Sequence, residues 1–62
     1  MNGVDNMRYS LGDEVSFDVI ANNGKETKFG CVVGFGKYLD LEYYIVQTKY
    51  GNKAKLTEQE VN

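Results

Sequence analysis

The chain has 62 residues, seven Lys plus Arg against nine Asp plus Glu, and no His, Pro or Trp, which admits one small domain and excludes a second. A fold of about 60 residues buries only about 60% of the surface its unfolded chain exposes, so the core must be tight and leaves no surplus for a deep substrate cleft. The formal charge of −2 is too small for a nucleic-acid mimic and of the wrong sign for a typical phosphate-binding surface.

Residues Met1 to Arg8 hold an Asn2-Gly3 turn pair and no apolar period, and are expected to form a flexible arm ahead of a domain spanning Tyr9 to Asn62. Met7 is an alternative start. From there Leu11, Val15, Phe17 and Val19 fall on odd positions, with Ser10, Glu14, Ser16 and Asp18 between them, which predicts a half-buried first strand near Glu14 to Ala21. Asn23-Gly24 tolerates the positive φ of a type I′ turn and predicts a hairpin. With Asn22 opposite Lys25, Val15 faces Val32 and Phe17 faces Gly30 on the core side. Ser16 then faces Cys31, Asp18 faces Phe29 and Glu14 faces Val33 on the other.

The second strand, Lys28 to Phe35, is apolar on both faces and punctuated by Gly30, Gly34 and Gly36, which predicts bending, bulges or close backbone approach. Its second face, made of Phe29, Cys31, Val33 and Phe35, is either buried by barrel curvature or a patch that docks a partner. After a loop over Lys37 to Asp40, Leu41 to Tyr50 reads as a third strand. A two-residue Gly51-Asn52 turn would turn Tyr43 and Ile45 to the core, and a loop one residue longer would select Tyr44 and Val46; Val46 inward is preferred. A short fourth strand, Lys53 to Leu56, leads to Thr57 and Glu60 at capping-box spacing, with Leu56 and Val61 at staple spacing, predicting one closing helical turn. The fold class expected is all-β: a small, strongly twisted antiparallel barrel of four to five strands.

Several chemistries lack their residues. Cys31 alone excludes an intramolecular disulfide and has no His to activate it, and without His the usual zinc sets are unavailable. Asp13/Glu14, Asp40/Glu42 and Glu58/Glu60 lack calcium-loop spacing, and adjacent Asp13 and Glu14 point to opposite faces of a strand. Gly34-Phe35-Gly36 does not open a helix and is no phosphate loop, and Ser10 and Ser16 have no evident base. No catalysis, metal or cofactor is therefore expected. No run approaches the roughly 18 apolar residues of a membrane span or the pattern of a signal peptide, so a cytoplasmic setting is expected.

The strings Leu11-Gly12-Asp13-Glu14-Val15-Ser16-Phe17, Gly30-Cys31-Val32-Val33-Gly34, Tyr44-Ile45-Val46 and Leu56-Thr57-Glu58 together resemble SH3-like barrels of the KOW and Tudor kind, over Tyr9 to Val61. The chain stops at the turn that precedes the last strand of those families. The resemblance thus implies a barrel lacking its fifth strand, one completed by the Met1 to Ser10 arm, or one whose edge a second copy supplies. It further implies a binding module. A Tudor-type aromatic cage would draw on Tyr9, Phe35, Tyr38, Tyr43, Tyr44 and Tyr50.

The reading that follows is a noncatalytic module acting by protein–protein interaction, a small regulator or inhibitor of the kind phages encode, with Phe35, Tyr38 and Tyr50 at the interface. The alternative is an RNA- or DNA-binding domain in which Lys49, Lys53 and Lys55 track a backbone while a base stacks on Tyr50. Against that, lysines on a short last strand more commonly protect an edge from aggregation. A third reading is a self-assembling subunit.

Overall fold

Alternating β-branched and aromatic residues with no proline favour strand pairing over any helix. In the computed structural model, which describes residues 7–62, four strands form: β1 (Glu14–Ala21), β2 (Gly24–Tyr38), β3 (Leu41–Thr48) and β4 (Lys53–Thr57). They pair in chain order as one antiparallel meander, with no helix among the described residues, and the sheet does not close into a barrel. Residues 1–6 of the expected arm lie outside the described residues.

The β1–β2 hairpin differs from expectation in register. Ala21 pairs with Gly24, so the loop is Asn22-Asn23; Val15 faces Gly30, Phe17 faces Lys28, Ser16 faces Phe29 and Glu14 faces Cys31. Both asparagines keep ordinary negative φ, and Gly24, at φ +111°, supplies the left-handed residue where β2 begins. Because the displacement is by two residues, no side chain changes face. Val15 and Phe17 still meet Val32 in the core, which Tyr44, Val46, Leu56 and Val61 complete.

β2 carries a bulge between Val32 and Gly34: Val32 pairs with Val46, Gly34 with Ile45, and Val33 is the extra residue. One inserted residue reverses the facing of everything after it. Phe35 therefore pairs with Tyr44 and packs beside it, ring centroids 5.9 Å apart, instead of continuing the outer row of Phe29, Cys31 and Val33. Gly30 is needed here, since a Cβ on it would lie 2.7 Å from both the Gln47 carbonyl oxygen and Val46 Cγ1.

β3 stops at Thr48 rather than Tyr50 because the chain turns on itself. Thr48 N–H donates to the Asn52 carbonyl (2.8 Å) and Gly51 N–H to the Thr48 carbonyl (2.9 Å), with Gly51 at φ +88°. This longer loop sets Leu56 opposite Tyr44 and turns Tyr44 and Val46 fully inward.

The expected C-terminal helical turn is not formed. Glu58 to Glu60 make a tight turn in which Glu60 Oε1 accepts from Thr57 N–H (2.8 Å), and Val61 then leaves it to bridge Phe17 on β1. Asn62 N–H adds a bond to the Ser16 carbonyl (2.9 Å). Pairing with β1 satisfies backbone groups that another helical turn would leave open.

Ahead of β1, Met7 packs against the core and Arg8 bonds to Glu58. Tyr44 is wholly buried and donates its hydroxyl hydrogen to Glu58 Oε2, while Tyr9 N–H donates to Tyr44 Oη (3.2 Å). Arg8 donates from Nε to Glu58 Oε1 (2.5 Å) and from its backbone N–H to Oε2 (2.8 Å). Burial, then the bond to Glu58, raises the Tyr44 phenol above its ordinary pKa. For Glu58, burial is the largest influence and pushes its pKa upward, but the hydrogen bonds from Tyr44 and Arg8 together outweigh it and hold the carboxyl below its ordinary range.

Two outcomes follow. Gly30→Ala should cost about 1–3 kcal/mol in chemical denaturation, since the new methyl meets backbone that cannot yield cheaply. A carboxyl depressed on folding contributes stability above its unfolded pKa that is lost as pH falls through its folded pKa. Glu58→Gln should therefore lose about 1 kcal/mol at neutral pH and show a shallower acid limb of stability against pH. An unchanged acid limb would remove Glu58 from that role.

Candidate functional site

Among the described residues, a single sheet with one core leaves its other face without a covering layer. Across that face Glu14, Cys31, Gln47 and Lys53 line up over all four strands, and Ser16 lies beside Phe29. Apolar side chains flank this row: on β2 Phe29 is 60% exposed and Val33 44% exposed, and on β1 Ile20, opposite Lys25, is 87% exposed. Further along, Lys55 sets its ammonium 5.6 Å from the ring centre of Tyr43.

Beside Phe29 the sheet is indented. An open groove of about 790 Å³ runs between Glu26 to Gly30 of β2 on one wall and Thr48, Lys49, Tyr50, Asn52 and Lys53 on the other. Tyr50 is 78% exposed, and the Lys49 ammonium sits 5.2 Å from its ring centre. Lys28 is ion-paired with Glu26 (3.2 Å), whereas Lys49, Lys53 and Lys55 make no ion pair among the described residues. The groove thus offers apolar surface and two lysines outside any ion pair among the described residues, alongside the carboxylates of Glu14 and Glu26.

The residues expected at an interface do not converge. Tyr50 lines the groove; Tyr38, 72% exposed, stands at the opposite end of β2, where it pairs with Leu41 across a loop containing Leu39 at φ +57°. Phe35 is on the core side. Of the lysines, Lys49 and Lys53 share the groove with Tyr50, and Lys55 lies outside it over Tyr43. No aromatic cage forms from the six candidates: Tyr9, Phe35 and Tyr44 do cluster, with Tyr9 and Tyr44 edge to face at 5.7 Å, but around a buried ring.

Phe29 and Val33 were visible in the sequence as an apolar second face. The groove was not, because it depends on where β3 leaves β2. Among the described residues no group of three or more His, Cys, Asp or Glu is placed to hold a metal ion, and no helix is long and apolar enough to cross a membrane. Comparisons with protein-family models, curated proteins and solved structures find no match for this chain.

The two phenylalanines of β2 should separate cleanly in denaturation experiments. Phe29→Ser should change stability by no more than about 0.5 kcal/mol. Phe35→Ser, which strips packing from Tyr44, should cost roughly 2 kcal/mol. Equal costs would mean that Phe29 is packed in solution.

Proposed function

We propose that this chain is a noncatalytic binding module of the SH3-like kind that acts by protein–protein interaction through the outer face and its groove. The observation that supports this reading is the exposure of Phe29, Val33 and Tyr50 around one indentation. Large apolar side chains at the surface cost solvation until a partner covers them, and aromatic residues contribute disproportionately to interface cores. Lys49 and Lys53 at the rim favour an acidic partner surface and would speed encounter with it. The role is that of a small cytoplasmic regulator or inhibitor that occupies the surface of a larger assembly, as phage-encoded effectors do.

One observation favours a second reading. Lys49 over Tyr50, with Lys53 in the same groove, is also a stacking platform for a single-stranded nucleic acid. Immobilised protein incubated with native lysate, with and without nuclease, separates the two. Under the first reading a defined protein is retained after nuclease, and Phe29→Ser or Tyr50→Ser loses it while folding normally. Recovery that vanishes with nuclease, with affinity that falls steeply with salt, would replace the first reading by the second.

A further inference from the structure

β2 is far longer than the strand beside it. β3 ends at Thr48, opposite Gly30, so residues 24 to 29 of β2 run on with β1 on one side and, among the described residues, no strand on the other. Which backbone groups face that empty side follows from the ladder. Val32 N–H donates to the Asp13 carbonyl (2.9 Å), and hydrogen-bonded pairs alternate along an antiparallel ladder. Counting back in twos without a register break, Gly30, Lys28, Glu26 and Gly24 turn their N–H and C=O groups toward β1. Lys25, Thr27 and Phe29 turn theirs away from it. Cys31, next in that series, is paired with Gln47 of β3, which shows what the other three lack.

This bare edge is one wall of the groove, and Lys49, Tyr50 and Lys53 stand on the other. We infer that the groove takes an extended segment of a protein partner, added as a strand to the Lys25–Thr27–Phe29 edge, in the slot that β3 vacates. The segment's backbone would satisfy the three residues' donors and acceptors. Its side chains alternate between faces, so every second residue lies on the outer face with Phe29 and Lys53: there an apolar residue falls beside Phe29 and Tyr50, and a carboxylate two residues on falls toward Lys53 and Lys49, which make no ion pair among the described residues. A second copy fits less well. Two overhangs paired about Thr27 would set Gly24 of one opposite Gly30 of the other, a place Thr48 already holds.

The inference rests on the protein-binding reading above, and its test distinguishes the two. A short peptide of repeating Val-Thr-Glu-Thr, which carries valine and glutamate in turn on one face, is titrated into isotopically labelled protein while amide hydrogen exchange is followed. Exchange at Lys25, Thr27 and Phe29 should slow on binding. The same peptide N-methylated at alternate residues should bind about tenfold more weakly, as loss of backbone hydrogen bonds requires, and its counterpart with lysine in place of glutamate should bind more weakly than the glutamate one. Shifts at Phe29, Val33 and Tyr50 without protection of the three amides would overturn strand addition and leave the docking reading standing. No shifts at all would overturn strand addition alone, since capture from lysate tests docking separately. Protection without peptide, growing with concentration alongside a dimer mass, would assign the edge to a second copy instead.

Discussion

The fold depends on Tyr44 being buried with its hydroxyl satisfied. A phenol taken wholly out of water needs a hydrogen-bond partner to offset its desolvation, and Tyr44 has one in Glu58 and another in the backbone N–H of Tyr9. Those two residues belong to opposite ends of the described chain, so satisfying one hydroxyl also brings the segment before β1 against the turn after β4. Arg8 then neutralises the carboxylate that the arrangement needs. Around the ring itself Phe35 and Tyr9 supply the aromatic contacts, and Leu56 lies directly across the ladder.

A core organised in this way has room for one layer of side chains, which settles where function can reside. The inner face is taken up by Val15, Phe17, Val32, Tyr44, Val46, Leu56 and Val61, and no buried polar residue remains among the described ones to do chemistry. Whatever the chain recognises must therefore meet its outer face, its edges or its loops. Among the described residues the interior is thus filled by packed side chains.

Much of this was legible in the residues. The period-two patterns of β1 and β3 located the strands, and the glycines of β2 marked where the backbone would bend. What escaped were effects of single residues on register. Asn23-Gly24 carries a strong hairpin signal, yet Gly24 serves just as well as the first residue of β2, and local preference does not separate the two placements. The bulge at Val33 is subtler: its presence in a glycine-punctuated strand was expected, but its position decides whether Phe35 faces water or Tyr44, and only the pairing of β2 with β3 fixes that position. The C-terminal turn had the composition of a cap, and tertiary pairing of Val61 with Phe17 won over local helix formation, whose nucleation is costly for so short a segment.

The overhang of β2 shows the same competition between stability and use. Residues 24 to 28 are exposed and contribute little to the core, so a chain selected for stability alone would gain little from extending the hairpin this far. An unpaired edge of that length is also an aggregation hazard. The sequence guards it with charge: Lys25 pairs with Asp18 and Lys28 with Glu26, which places alternating signs along the exposed ribbon and penalises an apolar strand that would otherwise stick there. Along this edge of β2 apolar surface returns at Phe29, where the ribbon meets Tyr50. The edge is thus closed to indiscriminate pairing along most of its length and open at one end, so a strand that binds there must match both the hydrogen-bond spacing of the edge and the lysines across the groove.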